Sequence, residues 1–91
     1  MVSESDLQVT YRGGRPLAAY YYLSRRSGQR SHRSREAARG LVVDYARDGK
    51  PIGIEITAPS VVTLPAINRV LKELGFPPLK RAELKPLRAA S

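Results

Sequence analysis

The sequence predicts an α+β fold: a small antiparallel sheet of four to five strands, with an Asp-Gly hairpin, covered by one C-terminal helix. Three observations carry this. Leu7, Val9 and Tyr11 alternate with Gln8, Thr10 and Arg12, the period-two pattern of a half-buried strand. Two strand-like runs, Leu41 to Tyr45 and Ile52 to Ile56, are joined through Asp48-Gly49. Leu64, Ile67, Leu71 and Leu74 then recur at helical spacing.

The first strand is expected over residues 6–12, ended at 13–15 by Gly13-Gly14, which tolerate positive φ. Leu17 to Leu23 is too short for an independent helix and rich in strand-favouring Tyr, so it reads as the second strand, broken by Ser27-Gly28. With three consecutive Tyr at 20–22, both faces of that strand receive a ring, and at least one ring belongs to the core. Residues 30–37 bury almost nothing and read either as a charged edge strand or as a solvated connection.

At Asp48-Gly49 the residue types favour a two-residue type I′ turn, in which both central residues have φ above zero. That register pairs Tyr45 with Ile52, Val43 with Ile54 and Leu41 with Ile56, all on one face. Val42, Asp44, Gly53 and Glu55 lie on the other, solvated or under something less apolar. Pro51 suits the first position of a strand because it donates no hydrogen bond. The helix is expected over 64–74, with Thr63 or Leu64 at its start, Pro65 in the first turn, Gly75 just past its end and Pro77-Pro78 as a stop. Its apolar stripe needs a partner, and the hairpin face is the largest available.

Residues 1–75 are expected to form one α+β domain and residues 76–91 a basic C-terminal tail, either a short second helix or a partner-docking segment. Ninety-one residues with 42% hydrophobic content suit one small core. In the tail, Phe76, Leu79, Leu84 and Leu87 are more apolar than a solvated linker requires. They read as candidate docking side chains, for the chain's own sheet, a dimer axis or a protein partner. On that reading, truncation after Gly75 leaves the fold intact and weakens association.

The net charge is +8, from 16 Lys and Arg against 8 Asp and Glu. Most of the imbalance lies in residues 12–39, where eight Arg face the single Glu36. Within the Arg-rich segment 25–39, Arg25, Arg26, Arg30, Arg33 and Arg35 are candidate contacts for nucleic acid or another anion, with Tyr20 to Tyr22 near enough in sequence to add stacking. A solvated arginine loop explains the same block without a ligand.

The sequence contains no Cys, which excludes a disulfide framework, a thiolate nucleophile and Cys-based metal sites. His32, the only histidine, sits among Arg and Ser with no acid placed to orient it. Asp44 and Glu55 lie diagonally on one sheet face in the expected register, the one carboxyl pair that invites an acid–base reading; the plainer reading makes both solvent-facing charges. Gly13-Gly14 lacks the spacing of a nucleotide-binding loop. The expectation is therefore no enzyme, no catalytic, cofactor-binding or metal-binding residue, and no cofactor. The acidic start and the lack of a long apolar run lead us to expect no membrane association and a cytoplasmic location.

The stretch from Gly40 to Ile56, with Asp44-Tyr45, Asp48-Gly49 and Gly53-Ile54-Glu55-Ile56, resembles the signature hairpin of a family of small bacterial proteins known as domain-of-unknown-function 2283. The likeness covers about residues 7–60. The sequence departs from it where Arg12-Gly13-Gly14-Arg15 replaces an acidic turn, in its positive charge, and in Thr57-Ala58-Pro59-Ser60. The resemblance implies a small antiparallel β domain with no established enzymatic activity, and suggests the antitoxin-like or accessory member of a toxin–antitoxin-like pair. The expected function is a non-enzymatic protein-interaction module; the alternative is a small basic nucleic-acid-binding protein using segment 25–39. Open sheet edges on so small a domain lead us to expect a homodimer, with a protein partner besides.

Overall fold

The computed structural model describes residues 7–23 and 30–88. Five strands, β1 (Leu7–Arg12), β2 (Arg15–Tyr22), β3 (Arg33–Ala38), β4 (Leu41–Tyr45) and β5 (Pro51–Ile56), precede helix α1 (Leu64–Leu74). A 3₁₀ turn (Arg81–Leu84) then runs into the short helix α2 (Lys85–Arg88). The strands form one antiparallel sheet in the order β1-β2-β5-β4-β3. The fold is therefore α+β, with residues 33–38 forming an edge strand instead of a solvated connection.

The two turn types fall differently from expectation. Gly13 and Gly14 both have positive φ, 59° and 80°, and Arg12 pairs with Arg15 across them. The tight two-residue turn is thus here, and β2 begins two residues earlier than its apolar run suggested. At Asp48-Gly49 only the glycine has positive φ, 88°. The Gly49 N–H donates to the Ala46 carbonyl at 2.9 Å and the Ala46 N–H to the Lys50 carbonyl at 2.8 Å. Asp48 accepts from the Lys50 N–H at 3.0 Å, which holds its own backbone out of the left-handed region. The result is a three-residue loop with glycine in the αL position, a standard alternative to the two-residue hairpin. Tyr45 consequently faces Pro51 and not Ile52, while Val43 with Ile54 and Leu41 with Ile56 keep the expected register.

Leu41, Val43, Ile54 and Ile56 project from one sheet face into a cluster with Val62 and with Ile67, Val70 and Leu71 of α1. Leu64 and Leu74, expected in the stripe, are only half-buried, and Val70 takes a core place instead. Helix α1 begins at Thr63, whose hydroxyl accepts from the Ala66 N–H at 3.2 Å. It ends at Gly75 (φ 85°), with the Phe76 N–H returning to the Leu71 carbonyl at 2.8 Å.

The tail is not a separate docking arm. Leu79, Leu84 and Leu87 are buried in the same core cluster, and Phe76 packs half-buried against it. Asn68 of α1 fastens the return: its side-chain amide donates to the Leu79 carbonyl at 3.2 Å and accepts from the Leu79 N–H at 2.8 Å. Past Pro77-Pro78, Glu83 accepts from the Lys80 N–H at 2.8 Å and caps the 3₁₀ turn. The Tyr11 hydroxyl donates to the Pro86 carbonyl at 2.9 Å, tying α2 to β1.

Candidate functional site

The sheet's other face is built from alternate residues of the same strands. Pairing places Gln8, Tyr20, Glu55, Val42 and Glu36 in one row across all five strands. Tyr22, Gly53, Asp44 and Ser34 make the row beside it. Tyr20 and Tyr22 are two residues apart and share this face, their rings edge to face with centroids 4.8 Å apart. Tyr21 points the other way, against the core.

Asp44 is the node of this face. It is only 4% exposed, the one buried charged residue among those described, so the expectation that it is a solvent-facing charge is corrected. The Ser34 hydroxyl on β3 donates to its Oδ1 at 2.6 Å. The Tyr20 hydroxyl on β2 and the Glu55 carboxyl on β5 also bond to it. One carboxyl on β4 thereby gathers side chains from β2, β3 and β5, three of the other four strands. A buried charge needs such donors, since taking it out of water uncompensated costs several kcal/mol.

Gly53 makes room for this arrangement. A Cβ at position 53 would run into the Tyr20 ring and hydroxyl, which lie directly on the glycine backbone. An aromatic ring covering a strand glycine replaces the packing the glycine lacks, and here it also aims the hydroxyl at Asp44.

The network shifts its acids upward. Glu55 is raised from 4.5 to about 7, first because it hydrogen-bonds to Asp44, then because it is partly withdrawn from water and lies near the Asp44 charge. Tyr20 is pushed well above its ordinary value by burial, by the charge of Asp44 and by its bond to that carboxyl. The unfolded chain releases the Glu55 proton near its ordinary value while the folded chain retains it to about 7. Glu55 therefore contributes full stability below about pH 4.5 and loses that contribution as pH rises toward 7. Glu55→Gln, which still offers Asp44 a donor, is expected to flatten this part of the pH profile. Denaturant midpoints for both proteins between pH 4.5 and 7.5 check it, and an unchanged slope in the variant would refute it.

A cleft of about 240 Å³ opens beside the network, lined by Gln8, Thr10, Ala18, Tyr20, Glu55 and Thr57. The Tyr22 hydroxyl donates to Gln8 Oε1 at 3.0 Å on the β1 side. Among the described residues, no group of three or more His, Cys, Asp or Glu side chains is placed to hold a metal ion.

The residues singled out in sequence lie elsewhere. Arg30, Arg33 and Arg35 are exposed at the β3 edge, with the Arg33 guanidinium 5.4 Å from the centre of the Tyr45 ring. Arg25 and Arg26 lie outside the described residues. Leu79, Leu84 and Leu87 are core and offer no docking surface, and Phe76 is half-buried with them. The structure unites Asp44 and Glu55 with Ser34, which sequence reasoning did not place at a site, and with Tyr20, which it had set beside the Arg block as a stacking residue. The available signal was Gly53: a glycine inside a strand otherwise rich in Ile marks a close approach from a neighbour.

Among the described residues no helix is long and apolar enough to cross a membrane. No curated protein and no solved structure matches the chain. Residues 18–59 match the model of a family described as Protein of unknown function (DUF2283). That stretch holds Tyr20, Ser34, Asp44, Gly53 and Glu55, whereas β1, α1 and the tail fall outside it. The match takes in the Asp44 node, strands β3 to β5 and most of β2, so this part of the sheet is similar to the DUF2283 family.

Proposed function

We propose that the protein is a non-enzymatic protein-interaction module that meets its partner through the sheet face organised around Asp44. The observation that carries this reading is that half-buried Tyr20, Tyr22, Val42 and Glu55 form a surface over which no described element of the chain passes. Aromatic side chains set in a rigid frame supply large contact area at low entropic cost. The cleft, at about 240 Å³, is smaller than the roughly 300–1,000 Å³ of small-molecule pockets. Asp44 and Glu55 bond to each other, so their polar groups are engaged in holding strands together more than in awaiting a substrate. An antitoxin-like or accessory role is one form such a module takes.

The test is capture from native lysate by the wild-type chain and by a variant carrying Tyr22→Ala and Val42→Lys, both on this face. We expect a protein partner captured by the wild type and lost by a variant that stays folded. Equal capture by both would overturn the reading.

The Arg-bearing β3 edge favours the second reading, nucleic-acid binding. Glu36, Asp44 and Glu55 make the Asp44 face unsuited to phosphate, so a polyanion would engage Arg30, Arg33 and Arg35. Capture abolished by nuclease, with affinity falling steeply as salt rises, would select this reading; indifference to both would remove it.

A further inference from the structure

The two edges of the sheet differ in a way that points to one occupant. The β3 edge carries Arg33, Arg35 and Glu36, all exposed, together with a register shift between Glu36 and Ala38. Charges and irregular pairing are the usual guards against edge-to-edge association. The β1 edge is less guarded: its one charge is Arg12 at the strand's end, and its register shift with β2 adds no residue to β1. Leu7 to Tyr11 is uncharged, the residue in excess at the β1–β2 shift is Leu17 on β2, and β1 itself runs regularly. Among the described residues no segment lies outside β1 in the sheet. Tyr11 is 50% exposed and Leu17 51% exposed, the apolar end of the same region.

The sequence of this edge is matched to itself read backwards. Around Val9, Gln8 mirrors Thr10 and Leu7 mirrors Tyr11. An antiparallel pair of such strands sets apolar opposite apolar and polar opposite polar. The two-fold axis at Val9 stands perpendicular to the sheet, so the core faces of both copies lie on the same side and the alternation continues unbroken.

We propose that the outer edge of β1 pairs antiparallel with the same edge of a second copy of this chain, centred on Val9, to form one continuous ten-stranded sheet. This surface is distinct from the Asp44 face, so the dimer leaves that face open on both copies.

The chain contains no Cys, so a single introduced thiol reports the register without background. Directly opposite residues in an antiparallel pair lie about 4.5–5.5 Å apart at Cα, within disulfide range, whereas the next diagonal pair lies beyond it at about 7–8 Å. Under mild oxidation Val9→Cys is expected to give a disulfide-linked dimer, while Thr10→Cys and Arg35→Cys stay largely unlinked. Light scattering of the wild type should rise with concentration from the 10.1 kDa chain mass toward twice that value. Gln8 and Thr10 are both exposed, so Gln8→Lys with Thr10→Lys should still melt in one cooperative transition and remain monomeric, because lysines then face lysines across the axis. A concentration-independent monomer mass would overturn the proposal. So would linkage of Thr10→Cys or Arg35→Cys as efficient as that of Val9→Cys, or a dimer that survives the lysine pair.

Discussion

Removing residues 76–91 is expected to leave no cooperatively folded domain. This reverses the expectation from sequence, in which the tail was dispensable for the fold. Leu79, Leu84 and Leu87 are 5%, 2% and 4% exposed and pack with Ile67, Val70 and Leu71. Burying a leucine contributes about 1.5–3 kcal/mol, so the three together supply on the order of 5–9 kcal/mol, an upper estimate because the unfolded chain already buries some of this surface. That is comparable with the whole stability of a small domain, about 5–15 kcal/mol. Truncation also strips Asn68 of both its partners on Leu79. Circular dichroism melts and amide dispersion in NMR spectra check the outcome; a truncated chain melting within a few degrees of full length would sink it. The milder variant Leu84→Ala should lower stability by about 2–5 kcal/mol while leaving a measurable transition.

The second large effect is expected at Gly53. Gly53→Ala places a methyl group where the Tyr20 ring and hydroxyl already lie, so the ring must move off the strand. Overpacking of this kind costs about 1–3 kcal/mol. The displaced hydroxyl also withdraws a donor from buried Asp44, leaving Ser34 and Glu55 to satisfy it, at about 1–3 kcal/mol more. We expect a total loss of about 2–6 kcal/mol. In a Tyr20→Ala background the same change meets no ring, and alanine suits a strand better than glycine, so the substitution should become neutral or slightly stabilising. The coupling in this double-mutant cycle, read from urea midpoints at constant slope, tests the geometry and not merely the importance of either residue. Additive effects would mean that the ring does not rest on Gly53.

Both predictions concern contacts between residues far apart in sequence, and they separate what local pattern can and cannot say. Helix α1 was legible to the residue because each of its signals is local: the Thr63 cap, Pro65 in the first turn, the repeat of Ile67 and Leu71, and Gly75 at the end. The central pairing of Val43 with Ile54 and of Leu41 with Ile56 was legible because period-two alternation survives an error in turn type. The turns themselves were exchanged. Asp-Gly serves both loop classes, and the choice fell to hydrogen bonds made by Ala46, Asp48 and Lys50.

Composition and order alone determined a small α+β domain, its strand and helix content, the excess of positive charge and its concentration in one block. Tertiary structure decided which face each polar residue shares and what the tail is for. Asp44 reads as a surface charge until β2, β3 and β5 bring Tyr20, Ser34 and Glu55 to it. The tail reads as an appendage until Asn68 folds it back and its leucines close the core. The physical reason is the same in both cases. Burial and charge satisfaction are properties of a neighbourhood assembled by strand order, and strand order β1-β2-β5-β4-β3 sets residues 20, 34, 44 and 55 side by side although no local period relates them.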